Sequence, residues 1–229
     1  MTSAGFTVNQ SWNNILFNNT ACDIDDYGFY VIDSSLHNVF SNNTACNNSF
    51  GFYINSSYNN LNNNLVYNNS KYQIRIVFPS GNNFIYNNIF NASAGQEVVD
   101  DGGTNYWNTT KNCSAPNIIG GRCIGGNWYS DYIGADYDND SIGDDPPNYS
   151  IGGGANIDYL PLTNNYTPVC YVSEGSGVCT VLLSNCSCIE GALNNASCSE
   201  VRLTVDITDW TGTCINNPEN FSNKIFDCQ

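Results

Sequence analysis

Two nine-residue stretches decide the fold: residues 14–22 read NILFNNTAC, and residues 38–46, 24 positions later, read NVFSNNTAC. A second pair, GFYV at 28–31 and GFYI at 51–54, recurs after 23 residues. In each unit, short runs of apolar or aromatic residues are separated by Asn, Ser or Gly. This pattern is typical of short strands joined by frequent corners rather than of helices.

The repeat predicts a right-handed parallel β-helix, in which each unit forms one coil and equivalent residues stack about 4.8 Å apart. Weaker copies at 60–69 and 83–90 extend it to about four units. Asn tolerates left-handed corners, and stacked Asn side chains can form hydrogen-bonded ladders. We therefore give the Asn-Asn pairs a structural role, with sugar ligation as the alternative. In the Phe-Tyr pairs, one ring is expected inside and the other outside, where it forms an interface or a sugar platform.

The composition excludes several classes of protein. Charged residues make up 12% of the 229 residues, against roughly 25% in an average domain, whereas 40 residues are Asn. A net charge of −15 with six Lys and Arg offers no electrostatic footprint for nucleic acid or an anionic membrane. No apolar run approaches the ~20 residues of a membrane span. The 41% hydrophobic content supplies a core, which argues against disorder.

Eleven cysteines and fifteen Asn-x-Ser/Thr sequons together predict an extracellular or cell-surface location. The candidate sites for N-linked glycans are Asn9, Asn18, Asn42, Asn47, Asn55, Asn68, Asn91, Asn108, Asn112, Asn139, Asn148, Asn165, Asn185, Asn195 and Asn220. An Asn-rich chain generates sequons by chance, so the inference depends on the cysteines as well. The first twelve residues have neither a basic nor an apolar signal region. A secreted chain of this kind is expected to be a processed or internal piece of a longer precursor.

The cysteines are expected to form disulfides. Cys22 and Cys46 occupy the same position in consecutive coils, at a separation that a disulfide accepts. We predict a bond between them, the alternative being a stacked free pair, and a second bond between Cys113 and Cys123 across a loop. The remaining cysteines are Cys170, Cys179, Cys186, Cys188, Cys198, Cys214 and Cys228. Their number is odd, so one thiol is free, one bonds another subunit, or the pairing differs.

The composition changes after Pro161, and this change predicts two domains. Residues 1–163 form the β-helix with its closing segment. Residues 164–229 form a Cys-rich β module, whose small core needs disulfides. The predicted fold class is therefore all-β, a parallel β-helix solenoid followed by a small disulfide-rich β domain.

The coils resemble the NosD-like, carbohydrate-binding and sugar-hydrolase (CASH) β-helix repeats of archaeal and bacterial surface proteins. Residues 125–162, GGNWYSDYIGADYDNDSIGDDPPNYSIGGGANIDYLPL, resemble the segment that closes the solenoid in many archaeal members. Together the two features cover about residues 9–163. The resemblance implies a β-helix in a surface protein and says little about activity.

An acidic loop within the closing segment has the spacing of a calcium site. Its candidate ligands at positions 1, 3, 5, 7 and 9 are Asp136, Asp138, Asp140, the carbonyl of Ile142, and Asp144. Alternating carboxylates of a tight loop converge on one hard cation. Two departures weaken the match, because Ser141 replaces the usual Gly and Pro147 replaces the bidentate Glu, a gap that Asp145 or Asp131 could fill. The alternative is an exposed acidic turn.

No catalytic residues are predicted, and we expect a protein that is not an enzyme. Lyases and hydrolases with this fold use bases or carboxylate groups on one face of the coils. Here the cluster of Asp23, Asp25 and Asp26 is followed in the next coil by Asn and Ser. One His and one Met cannot make a typical copper site unless thiols are recruited.

Residues 205–229, VDITDWTGTCINNPENFSNKIFDCQ, resemble the opening coil of the same β-helix proteins. We therefore expect this segment of one copy to stack on the amino-terminal coils of the next, in a tandem polypeptide or a filament. The alternative is that the natural continuation of the chain is missing. The predicted function is a structural glycoprotein of a filament, sheath or surface layer, assembled head to tail from copies of itself. The alternative function is a polysaccharide-binding module.

Overall fold

The structure, a computed structural model, describes residues 3–92, 97–166, 171–174, 178–181, 189, 192–193, 197–203 and 225–227. The chain divides into two compact units, Met1–Tyr166 and Thr167–Gln229. The division thus falls after Tyr166, close to the change in composition. Among the described residues, no helix is both long enough and apolar enough to span a bilayer.

Unit 1 is the predicted all-β solenoid, built from three parallel sheets that we call faces 1, 2 and 3. Face 1 contains β1 (Ala4–Asn9), β4 (Tyr27–Ile32), β7 (Phe50–Ile54), β10 (Tyr72–Ile76) and β13 (Glu97–Asp100). Face 2 contains β2 (Ile15–Phe17), β5 (Val39–Ser41), β8 (Asn60–Asn62) and β11 (Phe84–Tyr86). Face 3 contains β3 (Thr20–Cys22), β6 (Thr44–Cys46), β9 (Leu65–Tyr67), β12 (Ile89–Asn91) and β14 (Trp128–Tyr129). Each coil contributes one strand to each face, so the repeat seen in the sequence is one turn of the solenoid.

The core is a set of axial stacks between equivalent residues. Phe29 pairs with Phe52 in register, and their rings stack with centroids 4.6 Å apart. Phe40 meets both rings edge-on, and all three side chains are fully buried. The residues that follow Phe29 and Phe52 in the chain, Tyr30 and Tyr53, point outward and are half-buried. The expectation of one ring inside and one outside is therefore confirmed.

Three corners separate the faces, and each uses a residue in the left-handed region. At corner 1, between faces 1 and 2, these residues are Asn13, His37, Tyr58 and Asn82; at corner 2, between faces 2 and 3, they are Asn18, Asn42, Asn63 and Asn87; at corner 3, after face 3, they are Asp23, Asn47 and Asn68. Their φ values lie between 54° and 61°. Asn dominates because it is among the residues that most readily adopt this conformation.

The residue after each left-handed position belongs to a hydrogen-bonded ladder along the axis. Ladder 1 contains Asn14, Asn38, Asn59, Asn83 and Asn105; ladder 2 contains Asn19, Asn43, Asn64, Asn88 and Asn127; ladder 3 contains Asn48 and Asn69. In ladder 2, the Asn64 amide nitrogen donates to Asn88 Oδ1 at 2.9 Å and to the Phe40 carbonyl at 2.9 Å. Its Oδ1 accepts the Asn43 backbone N–H at 2.9 Å. The predicted Asn ladders are therefore present, and they satisfy backbone groups that the corners leave unpaired.

The two repeated glycines, Gly28 and Gly51, lie where a side chain would collide with ladder 3 and with the backbone of the next coil. A Cβ at Gly28 would lie 2.7 Å from the Gly51 carbonyl and 2.8 Å from Asn48 Nδ2. A Cβ at Gly51 would lie 2.5 Å from the Gln73 carbonyl and 2.8 Å from Asn69 Nδ2. The Gly of the repeated GFY motif is therefore required by the close approach of the next coil.

The closing segment adds the antiparallel pair β15 (Tyr149–Ser150) and β16 (Ile157–Asp158). Unit 2, described by itself, has a four-stranded sheet of β17 (Tyr171–Glu174), β18 (Val178–Val181), β19 (Glu200–Leu203) and β20 (Ile225–Asp227). The first pair is antiparallel and the other two pairs are parallel. The β character of the carboxy-terminal module is thus confirmed.

Disulfides join Cys22 to Cys46, with Cα atoms 4.5 Å apart, and Cys113 to Cys123. Of the two alternatives for Cys22 and Cys46, the structure has the bonded one. Cys179 bonds Cys198 in unit 2. The predicted disulfide cysteines Cys170, Cys186, Cys188, Cys214 and Cys228, the candidate glycan sites Asn185, Asn195 and Asn220, and most of the predicted opening coil at 205–229 lie outside the described residues.

Candidate functional site

The acidic loop has the backbone of a tight turn around carboxylates. Asn139 and Ser141 have φ values of 59° and 71°, so Ser141 takes the left-handed conformation that Gly supplies in calcium loops. The carboxylate of Asp136 accepts the backbone N–H of Ser141 at 2.8 Å and that of Asp140 at 3.2 Å. These bonds fold the loop back over Asp136, which is buried.

Three of the five candidate ligands come together. Asp136, Asp138 and Asp144 each offer a carboxylate oxygen, and these oxygens lie within 4.8 Å of one another. Asp140 forms an ion pair with Lys111, whose Nζ also lies 3.7 Å from Asp138 Oδ2. The Oδ1 of Asp140 accepts the Ile142 backbone N–H at 2.7 Å. The sequence pattern did not indicate Lys111, because it lies 25 residues before Asp136 along the chain.

Asp131 and Asp145, the two acids considered as replacements for the bidentate Glu of the calcium loop, have other hydrogen-bond partners. Asp131 accepts the Tyr149 hydroxyl at 3.0 Å, and Asp145 accepts the Tyr137 hydroxyl at 3.3 Å.

Burial raises the pKa of Asp136, and the nearby Asp138 and Asp144 raise it further, against the lowering effect of its backbone hydrogen bonds. Three converging carboxylates repel one another, and a hard cation held by their oxygens would remove that repulsion. Carboxylate oxygens suit calcium or magnesium better than a soft metal.

Two further buried acids terminate the ladders. Asp158, fully buried, ends ladder 2 by accepting the Asn127 backbone N–H at 2.7 Å, together with the Tyr129 hydroxyl and the Leu160 N–H at 3.0 Å each. Burial raises the pKa of Asp158 to about 7, although these three donors lower it. A carboxyl group accepts hydrogen bonds through its oxygens but has no amide to donate to a further coil, so it stops a ladder in which every Asn donates to the next coil.

Asp100 ends ladder 1 less directly, because the Asn105 backbone N–H donates to Asn156 Oδ1 at 3.2 Å and the side-chain amides of both asparagines donate to Asp100. It accepts from Asn105 at 3.0 Å, from Asn156 at 2.9 Å and from Trp107 Nε1 at 2.9 Å. Burial raises the pKa of Asp100, against the lowering effect of its hydrogen bonds. Sequence reasoning assigned no role to Asp100 or Asp158, although the N-x-D-x-x-P-L ending of the closing segment contains Asp158.

The opposite end of the solenoid is open in the described part of the chain. Asn14 and Asn19 donate to Asn38 and Asn43, but their own Oδ1 atoms accept no hydrogen bond from a described residue. The first strands, β1, β2 and β3, each pair on one side only within the described part of the chain. The ladders therefore have a polarity, with free acceptors at the first coil and acidic stops at the last.

Face 1 carries an aromatic cluster on its outer surface, formed by Tyr27, Tyr30, Phe50, Tyr53 and Tyr72. The ring of Tyr27 stacks on Tyr30 at 4.4 Å and on Phe50 at 5.0 Å. Because these rings use their faces on one another, less ring surface remains for stacking on a sugar. The cluster mainly braces neighbouring coils.

The sequons lie on the surface. Eleven of the twelve sequon asparagines in the described residues are exposed, and Asn108 is half-buried. The exposed ones are Asn9, Asn18, Asn42, Asn47, Asn55, Asn68, Asn91, Asn112, Asn139, Asn148 and Asn165.

These features define an all-β, disulfide-braced parallel solenoid whose last coil is closed by buried acids. A family model described as "Periplasmic copper-binding protein (NosD)" matches residues 1–134. Because the match covers more than half of the 229 residues, the chain belongs to the NosD family, whose description places it outside the cytoplasm. No curated protein and no solved structure matches the chain.

The family description mentions copper, but the described residues do not fit a copper site. The single His37 is exposed at corner 1 and its ring lies against Tyr58, 5.4 Å away. The six described cysteines are all in disulfides, so they offer no thiolate. The donors that do converge are carboxylates, which suit a hard cation.

Proposed function

We propose that the protein is an extracellular structural glycoprotein of the cell surface. In this proposal, residues 205–229 of one copy, which resemble an opening coil in sequence, stack on the first coil of the next copy. The joined units are the building blocks of a filament, sheath or surface layer. The partner is another copy of the same chain, and the role is not catalytic. The open first coil carries the proposal, because Asn14 and Asn19 present ladder acceptors with no donor in the described residues.

The first coil also exposes apolar side chains. Ile15 is 73% exposed and Phe17 is 58% exposed, both on the edge strand β2. A free strand edge with apolar side chains is a template for another strand. A further coil would supply backbone N–H groups to the ladder acceptors and cover these side chains.

Calcium and glycans complete the proposed role. A Ca²⁺ ion held by Asp136, Asp138 and Asp144 would brace the closing segment against their mutual repulsion. Glycans on the exposed sequons would supply the hydrophilic surface that a chain with 12% charged residues lacks.

Negative-stain microscopy of the native material tests the stacking, and filaments with a regular axial repeat are expected. The double variant Ile15→Lys, Phe17→Lys should abolish them, because it places charges along the open edge. The matched control is Ile133→Lys, which changes an 82% exposed isoleucine of the closing segment and should leave the filaments intact. Monodisperse monomers of the unaltered protein under non-reducing conditions would contradict the proposal.

Polysaccharide binding is the second candidate, and its binding surface would be the part of the aromatic cluster on face 1 that the rings leave exposed. Retention of the deglycosylated protein on a glycan array, lost in Tyr53→Ala, would support this function. A blank array would remove it.

A further inference from the structure

At the corner formed by Asn42 and Asn43, the two side-chain amides are used differently. Asn43 is buried, and its Nδ2 donates one hydrogen bond to the Leu16 carbonyl at 2.8 Å and one to Asn64 Oδ1 at 3.1 Å. Its neighbour Asn42 is exposed, has a φ of 56°, and makes no side-chain hydrogen bond within the described structure. Only the outer amide can therefore be derivatised without breaking a ladder.

The sequons fall on the outer residue of the pair. Asn18, Asn42, Asn47 and Asn68 each begin an Asn-x-Ser/Thr triplet, are exposed and have left-handed φ values. None of the thirteen buried asparagines among the described residues begins one. The buried ones are Asn38, Asn43, Asn48, Asn59, Asn62, Asn64, Asn69, Asn83, Asn87, Asn88, Asn105, Asn117 and Asn127. At corners 1 and 2, the residue two positions after a ladder asparagine lies in the core, as Phe40 does after Asn38 and Ala45 after Asn43, so the coil geometry places the sequons of these corners on the outer residue.

The four outer asparagines flank one face. Asn18 and Asn42 lie at corner 2, where the chain enters face 3, whereas Asn47 and Asn68 lie at corner 3, where it leaves. Within each row, consecutive coils place the asparagines about 4.8 Å apart. Glycans on both rows would project over the short strands of face 3 and the Cys22–Cys46 disulfide.

We propose that Asn18, Asn42, Asn47 and Asn68 carry N-linked glycans in two rows that cover face 3. This inference rests on the proposed extracellular role. The donor is an oligosaccharide linked to a polyprenyl phosphate. The Asn Nδ2 forms a bond to C1 of the first sugar, the C1–O bond to the phosphate breaks, the lipid phosphate leaves as an anion, and one Nδ2 proton is released.

The test is glycopeptide mass spectrometry of the chain purified from its native source. Peptides containing Asn18, Asn42, Asn47 and Asn68 should carry sugar, and the buried asparagines should not. Recovery of these four sites without sugar would overturn the proposal. The same preparation is imaged for filaments. If filaments are present but the four peptides carry no sugar, the glycan proposal is wrong and the stacking proposal stands. If the peptides carry sugar but only monomers are seen, the stacking proposal is wrong and the glycan proposal stands.

Two variants at one corner separate the sequon from the ladder. Thr44→Val removes the sequon of Asn42 without altering a described side-chain hydrogen bond, and it should lower the intact mass by one glycan with little change in Tm. Asn43→Gln leaves an Asn-Gln-Thr sequon but breaks the ladder, so it should keep the glycan and lower Tm. If Asn43→Gln fails to fold, Thr44→Val still decides. If the Thr44→Val protein carries the same total mass of glycan as the unaltered protein, glycosylation of Asn42 is refuted.

Discussion

Replacement of a ladder asparagine is expected to destabilise unit 1 strongly. Asn64→Ala removes the acceptor of the buried Asn43 backbone N–H and the side-chain donor to the Phe40 carbonyl. A buried polar group left without a partner costs ~1–3 kcal/mol. The two groups together therefore predict a loss of about 2–6 kcal/mol in the free energy of unfolding, a large share of the ~5–15 kcal/mol typical of a domain.

The matched control is Asn68→Gly in the same coil. Asn68 is exposed, has a φ of 55° and makes no side-chain hydrogen bond in the described structure, and Gly adopts that conformation freely. We expect a change below about 1 kcal/mol, since Gly acts mainly through the entropy of the unfolded chain.

The assay is urea unfolding of the oxidised full chain, followed by the fluorescence of the tryptophans. Trp107 in unit 1 is fully buried, so its environment changes when that unit unfolds. Asn64→Ala should lower the midpoint with little change in the m-value. Equal midpoints for Asn64→Ala and Asn68→Gly would refute a stabilising role for the ladder.

Three further outcomes are expected. Because burial raises the pKa of Asp158 to about 7, its contribution to the free energy of unfolding is fully present below about pH 4 and is lost as the pH rises through 7, a total of roughly 4 kcal/mol. Asp158→Asn should flatten the Tm profile over this range, and an unaltered profile would contradict the assignment. Calcium should raise Tm, a chelator should reverse this increase, and Asp138→Asn should make the increase smaller. If neither calcium nor the chelator changes Tm, the proposed calcium site is wrong. Cys22→Ser with Cys46→Ser should lower the stability of unit 1 by about 2–4 kcal/mol, measured by urea unfolding, and an unchanged midpoint would show that the bond adds nothing.

The sequence predicts the coils well because every coil repeats the same local chemistry. A left-handed corner residue and the following ladder residue are adjacent in the chain, so the repeated Asn-Asn pair signals both. The Gly of the GFY motif is visible for the same reason. The backbone carbonyl that it approaches comes from the next coil, 22 or 23 residues later.

The ladder terminators were not predictable in this way. Asp158 meets Asn127 from 31 residues away, and Asn156 meets Asp100 from 56 residues away. The closing segment is not periodic, so no offset indicates these contacts. The ion pair between Lys111 and Asp140 is another case, because the calcium-loop spacing suggests a ligand where the structure has a salt bridge.

At each corner, the outer residue takes the left-handed conformation and the following residue joins the ladder. This separation of roles makes the solenoid suitable as a scaffold for displaying side chains. At corner 1 the left-handed position is held in turn by Asn13, His37, Tyr58 and Asn82, while the ladder residue behind it is Asn in every case. The outer residue can therefore change its chemistry from coil to coil without disturbing the inner one. A designer could install a row of imidazoles, phenols or other reactive groups there, with a pitch of about 4.8 Å fixed by the spacing of the strands.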